Sequence, residues 1–224
     1  MKFIKYAALA VMLSSTSAFA SEQVDESKIT NPDEAIAALI AGNERFVSGK
    51  VLNQDFAEQI AATSAGQQPY AAVLSCLDSR VPPEIVFDQG IGDIFVGRVA
   101  GNVASVNMVG SFEFATALVG VKTLVVMGHT ACGAVAGSCA GAELGNLTAL
   151  LGEIKPAVDL VKAENPGKDA CAAPLLDTIA IANVNDTIAT IREMSPVITG
   201  LEAEGKLKVV GAMYDITTGK VTFI

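Results

Sequence analysis

Short apolar runs alternate with longer amphipathic stretches along this chain of 224 residues. The apolar runs have the length of buried strands, whereas the longer stretches repeat their apolar residues at helical spacing. Strands are predicted at 71–75, 94–99, 123–128, 207–214 and 221–224. One helix is predicted to begin at Asn31-Pro32, which supplies a cap and a first-turn proline. Further helices are predicted at 55–63, 108–118, 146–164 and 174–194.

This order of elements predicts an α/β fold. Strands that alternate with helices form a mostly parallel central sheet flanked by those helices. The last strand follows a turn at 217–220 closely enough to pair antiparallel with its predecessor. We therefore expect one antiparallel strand at the C-terminal edge of the sheet.

The first twenty residues have a different pattern from the rest of the chain. Lys2 and Lys5 precede an apolar stretch at 6–13, and Ala18-Phe-Ala20 follows it. This order is typical of a secretory signal peptide with an A-x-A cleavage site, and the apolar stretch is too short to span a bilayer. We expect residues 1–20 to direct export to the periplasm and residues 21–224 to form a single domain.

The overall charge narrows the range of partners. The chain has 15 basic and 24 acidic residues, a formal net charge of −9, and it has no further apolar run of membrane length. Nucleic acids and anionic membranes bind clustered lysine and arginine, so neither is an expected partner.

Candidate chemistry lies in two clusters, each directly after a predicted buried strand. Cys76-Leu-Asp78-Ser-Arg80 follows the strand at 71–75, and His129-Thr-Ala-Cys132 follows the strand at 123–128. If these strands are neighbours, their carboxyl ends bring the clusters together where open α/β sheets bind ligands. Two cysteines and one histidine are suitable ligands for zinc, and they leave a fourth position for water or substrate.

The remaining cysteines leave two alternatives open. If Cys76 and Cys132 bind metal, Cys139 and Cys171 are left over. Exported cysteines usually pair, but nothing in the sequence determines the distance between these two. A Cys139–Cys171 disulfide is therefore a hypothesis, and two free thiols are the alternative.

Both clusters resemble the signature motifs of the β-class carbonic anhydrases. The first motif is AAVLSCLDSR at 71–80 and the second is GHTACGAV at 128–135. The resemblance extends through further segments at 32–35, 42–46, 92–96, 100–102, 145–149 and 210–215. It covers nearly all of the chain after the leader, and it implies the fold of that family.

The resemblance also implies roles for individual residues. One Zn²⁺ per chain would be bound by Cys76, His129 and Cys132, with Asp78 and Arg80 as the catalytic pair. Asp78 has two roles open to it: it coordinates the zinc and closes the site, or it turns to Arg80 and frees a position for water. The implied substrate contacts are Gln67, Phe95, Ala100, Phe114 and the backbone N–H of Gly133. The family forms dimers, often built into tetramers, with active sites at the subunit interface, so we expect a homo-oligomer in which some pocket residues come from a partner.

The implied reaction is the reversible hydration of carbon dioxide to bicarbonate and a proton by zinc-bound hydroxide. Two thiolates cancel the formal charge of the metal, so the pKa of the bound water should exceed that of a site with three neutral histidines. Activity is therefore expected to rise toward alkaline pH. Since His129 is the sole histidine in the chain, Asp78 is the expected first proton acceptor.

The chain departs from the family pattern at two positions, Val73 and Val99. Family members inhibited by bicarbonate at a non-catalytic site have a tryptophan where this chain has Val73, and the chain contains no tryptophan, so we expect that site to be absent. Val99 replaces an asparagine that is common in the family, which affects the expected hydrogen bonding near 101–102.

Two alternative functions remain open from the sequence. One is a hydrolase of CS₂ or carbonyl sulfide, and the other is a non-catalytic zinc-binding protein. The Asp78–Arg80 pair and Gln67 argue against the non-catalytic protein, because a purely structural site needs no such pair.

Overall fold

The central sheet has the predicted strands in a single mixed arrangement. A computed structural model describes residues 28–52 and 54–224. Within these residues the strands are β1 (Ala71–Ser75), β2 (Ile94–Arg98), β3 (Thr123–His129), β4 (Lys208–Tyr214) and β5 (Val221–Phe223), in the spatial order β2-β1-β3-β4-β5. The first four strands are parallel, and β5 pairs antiparallel with β4. The predicted α/β class and the antiparallel C-terminal edge strand are confirmed.

Helices cover both faces of this sheet. In the described part of the chain they are α1 (Pro32–Ser48), α2 (Phe56–Thr63), α3 (Pro83–Val86), α4 (Val106–Glu113), α5 (Gly133–Ala140), α6 (Gly145–Glu164), α7 (Leu175–Met194) and α8 (Pro196–Ala203). The predicted helix at 108–118 differs from the structure, because α4 ends at Glu113 and a π-helical segment, Phe114–Val119, follows it. The pattern of apolar positions did not predict α3, α5 or α8, which have eight residues or fewer and so contain too few turns to display a clear period.

The start of α1 illustrates how local sequence sets a boundary. The Asn31 side chain accepts a hydrogen bond from the Glu34 N–H (3.0 Å), and the Glu34 carboxylate accepts one from the Asn31 N–H (3.3 Å). Pro32 occupies the first helical position, where a missing N–H has no cost. This reciprocal capping satisfies two backbone N–H groups at the helix end and explains why α1 begins there.

The hydrophobic core lies on both sides of the sheet, so β1 and β3 are buried along their whole length. Ala72 and Leu74 of β1 contribute to the core formed with α4 to α7. Ala71 and Val73 face the other way and join the core formed with α1 and α3. Burial on both faces explains why the two strands appear in the sequence as continuous apolar runs.

The structure also bears on the cysteine pairing and on membrane-spanning segments. A disulfide joins Cys139 in α5 to Cys171 in the loop before α7. The helices of the described region are all too short or too polar to cross a membrane. The predicted signal peptide at 1–20 lies outside the described residues.

Candidate active site

The sheet topology brings the two sequence clusters to one edge. Cys76 directly follows β1, and His129 is the last residue of β3. These strands are parallel neighbours, with Ser75 in register with Met127. The chain leaves β1 for β2 on one side and β3 lies on the other side, so the site is at a switch point of the sheet. The predicted adjacency of the two strands is therefore present.

Cys76, His129 and Cys132 form a compact buried cluster. Their ligand atoms all lie within 4.8 Å of one another, and the two sulfur atoms are 3.9 Å apart. His129 Nδ1 lies 2.9 Å from the Thr130 carbonyl oxygen. A carbonyl can only accept, so Nδ1 carries the proton and the lone pair is on Nε2. Nε2 is buried and has no hydrogen-bond partner among the described residues. An unpartnered imidazole nitrogen facing two thiols fits a zinc ion.

The two thiols influence each other strongly. The hydrogen bond between them lowers the pKa of Cys76 and raises the pKa of Cys132, with burial opposing the first shift and adding to the second. Without a metal the pair therefore favours one thiolate and one thiol. A divalent cation would stabilise both as thiolates, which the ligand chemistry of zinc requires.

The Asp78 carboxylate pairs with Arg80 beside this cluster. Arg80 Nε donates to Asp78 Oδ1 (2.9 Å), its terminal nitrogen donates to Oδ2 (2.6 Å), and its backbone N–H also donates to Oδ1 (2.9 Å). The side-chain hydrogen bonds from Arg80 hold the pKa of Asp78 far below its usual range, so it is ionised. Asp78 Oδ2 lies 3.9 Å from His129 Nε2. Of the two positions that the sequence leaves open for Asp78, the structure has the one paired with Arg80.

Arg98 supports this loop and was not identified from the sequence. It is the last residue of β2, the strand next to β1. Arg98 Nε donates to the Cys76 carbonyl oxygen (3.0 Å), and its terminal nitrogen donates to the Asp78 carbonyl oxygen. The sequence did contain a signal for Arg98, since it is a basic residue at the carboxyl end of a predicted strand.

Comparison with known proteins identifies the family. A family model described as carbonic anhydrase matches residues 71–221. Carbonic anhydrase 2 of Mycobacterium tuberculosis is 36% identical over 197 residues, which cover 85% of this chain and 92% of that protein. The chain belongs to the carbonic anhydrase family.

Solved structures place this carbonic anhydrase in the β class. The β-carbonic anhydrase of Coccomyxa, solved with acetazolamide, superposes with a TM-score of 0.68 at 25% identity, covering 75% of this chain and 77% of that one. One of two tetrameric β-carbonic anhydrases from Sordaria macrospora superposes with a TM-score of 0.64 at 26% identity, covering 84% and 96% of the two chains. Zinc is the metal of this class, and the Cys-His-Cys cluster is compatible with it.

Two of the pocket residues implied by the resemblance lie next to the cluster. Ala100 begins a 3₁₀ turn at Ala100–Asn102, and the N–H of Gly101 in that turn points at Cys76 Sγ (3.4 Å). Gly133 directly follows Cys132 and is the first residue of α5. Its backbone N–H belongs to the helix start, where such groups have no partner within the helix.

The other three implied pocket residues lie elsewhere in the same chain. Gln67 is exposed in the loop before β1, at the end of that strand opposite to Cys76, and five residues of strand span about 16 Å. Phe95 is in register with Ala72, near the start of β1. Its ring packs edge-on against Phe114 with centroids 6.2 Å apart, beside an open cavity of about 810 Å³. Within one chain the fold does not bring these side chains to the cluster.

Proposed function

We propose that this protein catalyses the reversible hydration of carbon dioxide to bicarbonate, with zinc bound by Cys76, His129 and Cys132. The observation that carries the proposal is the buried cluster itself, in which two thiols and an unpartnered imidazole nitrogen lie within 4.8 Å of one another. An ionised carboxylate held by Arg80 beside that cluster supports catalysis over a purely structural metal site, since such a site needs no ionised pair.

Bound zinc would supply Lewis acidity, which lowers the pKa of water from 15.7 toward about 7. The residues around it have separate tasks. Hydration of carbon dioxide releases a proton, and the ionised Asp78 carboxylate beside the cluster is placed to accept it first. Because pairing with Arg80 lowers the basicity of this carboxylate, it would pass the proton on to solvent and not retain it. With zinc bound, both nitrogens of His129 would be committed, one to the Thr130 carbonyl oxygen and one to the metal, so this histidine would not be free to carry the proton. The N–H of Gly133 is available to bind bicarbonate.

Stopped-flow measurement of carbon dioxide hydration by zinc-loaded protein tests the proposal. We expect rapid turnover that requires zinc, and a loss of about 100-fold in Asp78→Asn, because a positioned proton acceptor typically contributes 10²–10⁴-fold. Asp159→Asn is the matched control, since this exposed carboxylate pairs with Lys155 on α6. No turnover despite one bound zinc per chain would reject the proposal.

The named relatives are carbonic anhydrases, which favours carbon dioxide over CS₂ or carbonyl sulfide as substrate. The same stopped-flow comparison with the two sulfur compounds distinguishes these activities. Faster turnover of either sulfur compound than of carbon dioxide would move the assignment to a sulfur-analogue hydrolase.

We further propose that the active unit is a homo-oligomer in which Gln67, Phe95 and Phe114 approach the zinc cluster of a partner subunit. Their separation from the cluster within one chain supports this arrangement. Val106 and Leu118, which lie on either side of Phe114 in the sequence, are 75% and 78% exposed, and exposed apolar side chains of this size suit a contact with a second copy. The tetrameric state of the Sordaria relatives is also consistent with it.

Complementation between two inactive variants tests the shared site. Gln67→Ala and Cys132→Ser should each have low activity, and mixing them under exchange conditions should restore roughly a quarter of wild-type activity, because one site in each mixed dimer is intact. Cys132→Ser mixed with His129→Ala is the control and should restore none, since both changes fall in the same cluster. Failure of the first mixture, with exchange demonstrated by a tagged subunit, would place Gln67 outside the site.

Export to the periplasm is also proposed. The leader-like sequence at 1–20 supports it, and so does the Cys139–Cys171 disulfide, which persists in an oxidising compartment. Cell fractionation with N-terminal sequencing of the mature protein is the test. A cytoplasmic protein that retains Met1 would contradict this proposal.

A further inference from the structure

Helix α7 contacts two backbone segments beside the Cys-His-Cys cluster without contributing a ligand. Its apolar side chains Ile179, Ala180 and Val184 are buried in the core beneath the sheet, so the helix is firmly held. Two polar side chains of the same helix bind backbone groups near the ligands: Asp177 binds the loop between His129 and Cys132, and Asn183 binds the turn that contacts Cys76. Neither residue has a role in the mechanism described above.

Asp177 binds the loop between His129 and Cys132. Asp177 Oδ1 accepts a hydrogen bond from the Ala131 N–H at 2.9 Å. Ala131 has a φ of 52°, a left-handed conformation that residues other than glycine rarely adopt. The preceding residue, Thr130, is bound from the other side, because its N–H donates to the Tyr214 carbonyl oxygen at 3.0 Å. Asp177 therefore helps to hold a strained peptide that determines the spacing of two ligands.

Asn183 binds the turn that contacts the third ligand. It is 1% exposed, and its Nδ2 donates to the Gly101 carbonyl oxygen at 2.7 Å. The N–H of Gly101 in turn points at Cys76 Sγ at 3.4 Å. Asn183 thus orients the residue that donates to a ligand sulfur, an outer contact of the kind that tunes metal sites.

We infer that Asp177 and Asn183 are positioning residues that preorganise the metal ligands, with Asp177 acting on His129 and Cys132 and Asn183 acting on Cys76. This inference rests on the proposed zinc ligation. Loss of either hydrogen bond should weaken zinc binding even in protein that is fully folded. Outer-shell partners of metal ligands typically contribute 10–100-fold to metal affinity.

Zinc affinity measured by competition with a chromogenic chelator tests the inference on purified full-length protein. We expect the zinc dissociation constant to rise by about 10–100-fold in Asp177→Ala and in Asn183→Ala. Asp177→Asn should retain most of the affinity, because its amide oxygen still accepts the Ala131 N–H. Asp186→Ala and Asn185→Ala are matched controls on the same helix, without a hydrogen bond to the cluster among the described residues, and should bind zinc as the wild type does.

Urea unfolding of the zinc-free variants separates positioning from general stability. A residue that only stabilised the fold would lower the unfolding midpoint and leave the zinc affinity of the folded protein unchanged. Wild-type affinity in Asp177→Ala, or equal weakening in Asp177→Asn and Asp177→Ala, would overturn the assignment of Asp177. Asp177 is half-buried, so its truncation remains informative if Asn183→Ala fails to fold. Failure of the wild type to bind zinc, or no loss of binding in Cys132→Ser, would instead refute the proposed function.

Discussion

Replacement of Gly101 with alanine tests how tightly the turn beside Cys76 is built. Gly101 has a φ of 71°, and a Cβ atom at this position would lie 2.5 Å from Ile154 Cδ1 and 3.4 Å from Ala134 Cβ. Gly101 also links Asn183 to Cys76, because its carbonyl oxygen accepts from the Asn183 side chain and its N–H donates to Cys76 Sγ. The substitution therefore adds backbone strain and a steric clash at one point of the active-site scaffold.

The two contributions give a magnitude for the loss of stability. The left-handed conformation costs a residue with a Cβ about 1–2 kcal/mol. Overpacking against a fully buried isoleucine costs about 1–3 kcal/mol. Reduced entropy of the unfolded chain offsets up to about 1 kcal/mol. We expect the free energy of unfolding to fall by roughly 1–5 kcal/mol, with the clash as the part that a second substitution can relieve.

Urea unfolding at fixed zinc and protein concentrations is the assay, because both zinc binding and association shift the apparent stability. Gly152→Ala is the control: this position lies inside α6 with open space around its Cβ, and alanine should stabilise the protein by about 0.5–1 kcal/mol. Ile154→Val, which removes the clashing methyl group, costs about 0.5–1.5 kcal/mol alone and should cost less in Gly101→Ala. The reasoning is refuted if Gly101→Ala loses nothing, or if Ile154→Val costs the same in both backgrounds.

Three further outcomes are expected. Asn43→Ala should lower the free energy of unfolding by about 3 kcal/mol, because this buried amide binds three backbone groups. Glu44→Ala, on the exposed side of α1, should be neutral, and equal effects of the two substitutions would contradict a stabilising role for the Asn43 hydrogen bonds. Arg80→Ala should reduce the rate of carbon dioxide hydration, because it releases the Asp78 carboxylate. Arg80→Lys should have intermediate activity, since lysine lacks the planar fork of the guanidinium group. Full activity in Arg80→Ala would exclude a role for the pair. Hydration should rise from neutral to alkaline pH while Asp78 stays ionised throughout, because its depressed pKa confines its titration to strongly acidic solution. The stability that its pairing with Arg80 contributes is therefore present above the ordinary pKa of an aspartate and is lost only as the pH falls below it. A fall in activity over the alkaline range in folded enzyme would contradict this.

Long, periodic or fully buried segments were predictable because their signals are local. The apolar runs of β1 and β3 identify two buried strands, and the prediction that their carboxyl ends meet follows from the parallel sheet alone. The cap at Asn31 likewise sets the start of α1 from neighbouring residues. The π-helical segment after α4 was not predictable, since it depends on packing and not on a period of 3.6 residues.

By itself, the sequence determined the strands and the longer helices, which residue types are available to a metal, and which family the motifs resemble. It left open whether Asp78 turns to the metal or to Arg80, because a side-chain conformation depends on all the atoms around it. It also left open that two residues far along the chain bind the backbone beside the ligands, Asp177 at Ala131 and Asn183 at Gly101. Only the tertiary structure decided these points and separated Gln67 from the cluster in its own chain, because distances across a sheet are properties of the whole fold and not of any local pattern.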